Sequence, residues 1–257
     1  MKSADAWQPP GCRASGRGTK DRQGRLLAAD LHIHSCLSPC GDDDMTPANI
    51  AAMARLKGLD MIAVTDHNAT GNLPAAADAC RMHGLLFIPG VEVTTREEVH
   101  LLGYFAQVGQ ALAFGETLRA HLPPMKNRPA YFGHQYVMDG EDNVVAEEEA
   151  MLIGATDLPL LEAAERIRAF GGAAVPAHVN RGGNGLLVNL GFFPDEPAFG
   201  TVEIWRGLPV AEDALGGRRV LHASDAHSLG DIREREEAVI LRSGSPSDLI
   251  KWLNEKS

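Results

Sequence analysis

The sequence has no run of about 18 or more apolar residues, which excludes a membrane-spanning helix. Residues 1–25 hold Trp7, paired prolines, glycines and mixed charge, and lack the apolar stretch of a secretory signal. They are expected to form a flexible tail, and the chain is expected to be cytoplasmic. Cysteine is scarce: Cys12, Cys36, Cys40 and Cys80 give no disulfide framework for a chain of 257 residues, which fits a reducing compartment. Positive charge is also short. With 24 basic against 34 acidic residues, the net charge of -10 disfavours non-specific binding to nucleic acid or an anionic membrane. Aromatics are only 5% of the chain, and no basic, aromatic-lined stretch marks a groove for long nucleic acid. No internal repeat is present. A small phosphorylated substrate is not excluded, because bound metal ions can supply a local positive field against the net charge.

What is present is a globular composition, 44% hydrophobic and 23% charged. From residue 26 onward, short apolar runs alternate with helical segments. Strands are expected at Leu26–Ile33, Met61–Thr65, Leu85–Pro89, Val99–Phe105, Ala173–Ala177, Thr201–Trp205, Val220–Ala223 and Ala238–Leu241. Several are continuously apolar, as strands covered on both faces are. Between them, Thr46-Pro47 opens a helix closed by Lys57-Gly58, and Pro74–His83 ends at Gly84. Thr156-Asp157 is expected to cap a helix ending at Gly171-Gly172, and Ser245-Pro246 to open the last one. This alternation predicts an α/β protein with a parallel sheet, open or closed into a barrel. Residues 107–155 break the rhythm with Pro123-Pro124, Arg128-Pro129 and Glu147–Glu149, and are expected to form an insertion or lid within a single domain over 26–257.

The chemistry-bearing residues fall at strand ends. Asp30-Leu-His32-Ile-His34 ends the first strand, and in an extended chain His32 and His34 point to one side, where both can reach one ion. Asp66-His67 ends the second strand and Glu92 follows the third. His178 and the Asp225-Ala-His227 pair follow later ones. Each alone has a bland reading as a structural histidine or a helix cap. Together, at the carboxyl ends of successive parallel strands, they converge on one mouth of a barrel. Mixed imidazole and carboxylate ligands suit zinc, iron or manganese better than magnesium or calcium.

The stretches DLHIHS (30–35), TDHN (65–68), PGVEVTT (89–95), EVHLLGYF (98–105), PAHVNR (176–181) and ASDAH (223–227) resemble, in order, those of the PHP family, named for polymerase and histidinol phosphatase. The resemblance implies a distorted (β/α)7 barrel, a site for two to three divalent ions, and hydrolysis of phosphate esters. Carried over by position, it implies that His32 and His34 bind a first ion, completed by Asp225 and a bridging Glu92. His67 would bind a second ion and His100 and His178 a third, with His227 as the final ligand.

One departure lies between His34 and Asp42, where Pro39 stands at the place of a usual ligand and Cys40 follows it. Either Cys40 is a thiolate ligand, or it lies beside the site while Asp42 or water fills the gap. Such ions bring a shared water toward deprotonation at neutral pH and clamp phosphoryl oxygens. Asp66 or His227 could then move protons, and Arg181 could either neutralise a phosphate oxygen or sit in solvent as a loop cation. A small phosphomonoester, nucleotide or short oligonucleotide is the expected substrate. The alternatives are a metal-dependent amidohydrolase, disfavoured because no lysine sits at a barrel strand end, and a non-catalytic metal-binding regulatory domain. The sequence is silent on oligomeric state.

Overall fold

A computed structural model describes residues 24–196 and 198–255, so Trp7, Cys12 and nearly all of the expected tail lie outside the described residues. In chain order the elements are β1 (Arg25–Ile33), α1 (Pro47–Leu56), β2 (Met61–Val64), α2 (Leu73–His83), β3 (Leu86–Thr94), β4 (His100–Tyr104) and α3 (Val108–Arg119). There follow α4 (Pro129–Phe132), β5 (Tyr136–Met138), β6 (Val144–Glu147), α5 (Leu160–Ala169), β7 (Ala173–Pro176) and α6 (Leu186–Asn189). The chain ends with β8 (Thr201–Glu203), α7 (Glu212–Leu215), β9 (Arg219–Leu221), β10 (Ala238–Leu241) and α8 (Pro246–Asn254).

Six strands form one curled sheet in the order β10-β1-β2-β3-β4-β7, and β8 and β9 form a parallel pair. The pair bridges the gap in the curl. Val179, after β7, donates its N–H to Glu203 O at 2.9 Å, and Ala226, after β9, lies in a parallel bridge with Ile33 of β1. The result is the distorted α/β barrel implied by the resemblance. It is not all-parallel, however. β4 runs antiparallel to both β3 and β7, and β10 runs antiparallel to the first half of β1. The cause of the β4 reversal is the five-residue connection 95–99, far too short for the crossover that a parallel neighbour needs.

Two apolar layers hold the barrel. Leu27, Ala29, Leu31, Met61, Ala63, Ile88, Leu102, Tyr104 and Val175 pack inside it, joined by Leu249, Ile250 and Leu253 of α8. Ile62, Val64, Val91, Val93 and Leu101 face outward against Ile50, Ala54, Ala76, Phe114 and Ile167 of the helices. Strand β3 serves β2 with its first half and β4 with its second, and Gly90 stands at the changeover. A Cβ there would meet Thr65 Cγ2 at 2.6 Å and Val64 O at 3.0 Å, so the close approach requires glycine.

The helix ends follow local chemistry. Thr46 accepts from Asn49 N at 3.3 Å, and Gly84 closes α2 in the left-handed conformation. The expected Thr156-Asp157 cap does not form: the Thr156 hydroxyl donates to Thr94 O at 2.8 Å, and the first turn of α5 is capped by Glu97, which accepts from Leu160 N at 2.8 Å. Ser245 accepts from Asp248 N at 3.2 Å. Ser245→Ala should cost about 1 kcal/mol and lower the midpoint of thermal unfolding by roughly 2–4 °C, read by calorimetry.

Residues 107–155 divide in two. The first part is α3, whose Ala111, Phe114 and Leu118 are fully buried in the outer apolar layer, so it belongs to the barrel's helical shell. The second part carries α4 and the β5–β6 hairpin. It docks on the loops after β1 and β2 through Tyr136 N–H to Cys36 O (2.9 Å), Met138 N–H to Asn72 Oδ1 (2.8 Å) and Asn68 Nδ2 to Leu152 O (2.8 Å).

Candidate metal centre

The mouth of the barrel gathers every residue expected as a ligand. Strand β1 delivers His32 and His34 by means of an irregularity: its pairing with β2 shifts register between Asp30 and Ile33. Leu27, Ala29 and Leu31 point inward on odd positions, and the shift turns Ile33 outward and both histidines in. Asp66 and His67 follow the end of β2, and Glu92 sits within β3. Because β4 is antiparallel, its amino end lies at this mouth, so His100 joins the cluster from the start of a strand. His178 and Asp225 both have positive φ, 26° and 55°, a conformation costly for non-glycine residues and concentrated at functional sites.

Three groups of donor atoms form, each with all atoms within 4.8 Å of one another: His32, His34, Glu92 and Asp225; His34, Cys40, His67 and His227; and His67, Glu92 and His100. Glu92 is central. Its Oε1 lies 2.8 Å from His100 Nδ1, 3.3 Å from His178 Nε2 and 3.4 Å from His32 Nε2. Its Oε2 lies 3.1 Å from His67 Nδ1 and 3.3 Å from His34 Nε2. Yet among the described residues neither oxygen, nor His67 Nδ1 or His100 Nδ1, has a partner with hydrogen-bond geometry, although all are buried. Buried polar atoms that are close but not aligned along bonds need another partner, and a cation among them satisfies every one. The donor set fits divalent metal ions.

Residues behind the cluster set the rings. Ser38 Oγ donates to Asp66 Oδ1 at 2.7 Å and so accepts from His34 Nδ1 at 2.9 Å and His67 N at 3.0 Å. That fixes the His34 proton on Nδ1 and leaves Nε2 for an ion. Asp66 also accepts from Ser35 N and Ser35 Oγ, both at 2.7 Å. With both oxygens engaged and the residue 1% exposed, Asp66 ties together the loop that carries His34 and precedes His67.

Glu203 plays the same part for His32, and the sequence reading passed over it. Its carboxylate lies 3.0 and 3.2 Å from His32 Nδ1 and accepts from His178 N at 3.0 Å. The available signal was an acidic residue inside the apolar run Thr201–Trp205, since a buried carboxylate requires partners.

Electrostatics follow from this packing. Burial alone would lower the His34 and His67 pKa values, but the Glu92 carboxylate, with Asp225 at His34, outweighs it and pushes each up to about 9. His32 is likewise raised, against burial, by Glu203, Glu92 and Asp225. Burial wins at His100 and His227, each lowered to about 4. Glu92 and Asp225 are held below the usual carboxylate range, burial being overcome by the surrounding imidazoles. A ligand histidine must be neutral, so three raised histidines must lose protons when metal binds. Metal affinity should therefore rise with pH from neutrality toward about 9, with proton release measured by calorimetry in buffers of different ionisation enthalpy.

The cavity above the cluster measures about 270 Å³ and is lined by Cys40, His67, His100, His178, Asp225 and His227, with Arg181 and Gly182–Asn184 at its edge. Arg181 pairs with Asp225, and its guanidinium carbon lies 5.8 Å from the Trp205 ring centre. His227 directs Nδ1 to Asp225 O at 2.8 Å, leaving Nε2 for an ion or a proton. Asp42 is exposed and belongs to none of the three donor groups among the described residues. Cys36 and Cys80 are buried away from the mouth, and burial pushes each thiol up to about 12.

Comparison with known proteins places this geometry. A 77-residue stretch is 39% identical to a 3',5'-nucleoside bisphosphate phosphatase of Chromobacterium violaceum, covering 29% of this chain and 26% of that one. The chain thus spans about a quarter of the length of that relative. In structure it resembles a lesion-specific endonuclease of Pyrococcus furiosus, with TM-score 0.65 and 20% identity over 90% of this chain and 56% of the other. A candidate metal-dependent phosphoesterase of Bifidobacterium adolescentis superposes with TM-score 0.57 and 18% identity, over 90% of this chain and 96% of the other. At these identities the likeness establishes the barrel fold. Residues 30–161 match the PHP domain, and since that match takes in just over half of the sequence, the chain belongs to the PHP family.

Proposed function

We propose that the protein is a metal-dependent hydrolase of small phosphate esters: a phosphomonoester, a nucleotide or a short oligonucleotide. The observation that carries this reading is the set of three overlapping donor groups sharing His34, His67 and Glu92 beneath one open cavity. His32, His34, Glu92 and Asp225 would hold one divalent ion, Cys40, His67 and His227 a second, and Glu92, His100 and His178 a third. Zinc, manganese and iron suit these donors. When bound, such ions polarise a phosphoryl oxygen and make water nucleophilic at neutral pH.

The chain's own groups do the rest. Glu92 and Asp225 supply the negative charge that concentrates cations in the mouth. Arg181 stands where a phosphate oxygen can replace Asp225 as its partner. His227 is held neutral near pH 7 with Nδ1 turned to Asp225 O, so its Nε2 is free for the second ion. Arg181→Ala should therefore raise KM roughly tenfold or more with a smaller change in kcat, as expected for a lost substrate contact.

The net charge of -10 opposes long nucleic acid, and the relative acting on a nucleoside bisphosphate favours small substrates. The test is turnover on p-nitrophenyl phosphate, a nucleoside 3',5'-bisphosphate, bis-p-nitrophenyl phosphate and duplex DNA containing an abasic site. Chelator-sensitive hydrolysis of the first two supports the proposal. Cleavage of the duplex with no turnover of small esters would replace it with a nuclease reading.

A further inference from the structure

We infer that Cys40 supplies a thiolate to the ion held by His67 and His227, next to His34 of the neighbouring ion, so that one position of the centre is a sulfur-containing site beside two of only nitrogen and oxygen. This rests on the reading of the mouth as a metal centre and concerns which ion one position of it selects.

Several independent features place Cys40 there. Its Sγ lies within 4.8 Å of a ring nitrogen of each of the three histidines. The thiol lines the cavity and is exposed, whereas Cys36 and Cys80 are buried and occupied with packing. His67, only 4% exposed, turns Nδ1 toward Glu92 Oε2 at 3.1 Å, so its other ring nitrogen is the one left for an ion beside Cys40.

The backbone around Cys40 is built rather than loose. Gly41 donates its N–H to Ser38 O at 2.9 Å, and a Cβ on Gly41 would lie 2.7 Å from Ser35 O, so the turn closes only with glycine. Asp42 donates its N–H to His227 O at 2.9 Å, which ties the cysteine's own loop to another residue of the same donor group. On the outer side, Gly133 of the docked hairpin segment packs directly on Pro39 O, where any side chain would collide. Cys40 is thus clamped from both sides with its thiol turned to the cavity.

The consequence is selectivity. Thiolate is a soft ligand that favours zinc, iron(II) or cobalt(II) over manganese and magnesium. The thiol loses its proton to the medium on binding, so no oxidant or reductant is involved. A mixed nitrogen–sulfur position should retain zinc or iron through dialysis while the carboxylate-rich positions exchange.

The experiment is cobalt(II) titration of the metal-stripped chain, followed by absorption spectroscopy. The unmodified protein should show visible ligand-field bands together with a near-ultraviolet sulfur-to-cobalt charge-transfer band. Cys40→Ser should lose the charge-transfer band and keep the ligand-field bands. Cys40→Asp should do the same and move the retained metal from zinc toward manganese. In parallel, iodoacetamide labelling read by peptide mass spectrometry needs no variant: Cys40 should be alkylated in the stripped protein and protected by zinc. Ligand-field bands without charge transfer, and labelling of Cys40 unchanged by zinc, would overturn the thiolate while leaving the metal centre intact. Absence of any cobalt uptake would overturn both.

Discussion

Asp225→Ala is expected to lower turnover of a phosphate monoester by about a thousandfold or more, with loss of at least one bound ion, while the far-ultraviolet circular dichroism stays that of a folded chain. Asp225 Oδ1 lies 3.3 Å from His32 Nε2 and 3.2 Å from His34 Nε2, and its other oxygen engages Arg181, so one substitution removes a ligand and the anchor of the rim cation together. The magnitude follows from the roles assigned: losing residues that support ligands already costs about 10–100-fold, and the loss of a ligand itself exceeds that. His34→Ala should behave alike, since His34 belongs to two of the three donor groups. Elemental analysis beside steady-state rates checks both. A variant that lost its metal and kept full turnover would dissociate the cluster from the chemistry.

Glu203→Ala should damage both the fold and the centre. The carboxylate is 2% exposed and accepts from His32 Nδ1 and from the His178 N–H. Deleting one partner of such a buried charged pair costs roughly 3–5 kcal/mol, because the other groups stay buried without partners. Metal affinity should fall about 10–100-fold as His32 loses the contact that fixes its orientation. Glu203→Gln keeps an acceptor and should restore much of the stability but less of the affinity, since an amide raises ligand basicity less than a carboxylate does. Chemical denaturation with and without zinc separates the two effects.

Much of this was legible in the sequence, for a physical reason. Ligands at strand ends are local: Asp30-Leu-His32-Ile-His34, Asp66-His67 and Asp225-Ala-His227 each declare a strand, its end and its donors within a few residues. Three features were not local. The inward aim of His32 and His34 depends on a register shift against β2, while simple alternation places them on the side opposite Leu31. The direction of β4 was hidden because the strand expected at Leu85–Pro89 runs on to Thr94; the remaining five-residue link 95–99 forces a hairpin and so carries His100 to the mouth. Glu203 acts on His32, 171 residues away, and Glu97, the true cap of α5, on Leu160, 63 residues away, beyond the reach of any spacing rule. Adjacency of Asp66 to His67 suggested proton transfer, and the contacts to Ser35 and Ser38 that engage both oxygens, 31 and 28 residues away, were not visible in the sequence.

Helix α3 shows a different limit. Its Ala111, Phe114 and Leu118 carry the helical period, but proline, aromatic and acidic residues further along 107–155 made the whole stretch read as an excursion. The hairpin beyond α3 touches the Cys40 loop and places Ile153 in the cavity wall, which makes it the segment to vary in a search for substrate preference.

The central claim is that this mouth binds metal ions and uses them to hydrolyse phosphate esters. Its most direct test is elemental analysis of anaerobically purified protein, paired with p-nitrophenyl phosphate turnover before chelation, after it, and after restoring zinc, manganese or iron. Two to three ions per chain, with turnover lost on chelation and regained on restoration, is the predicted result. No bound metal, with turnover indifferent to chelator and to added ions, would contradict the account.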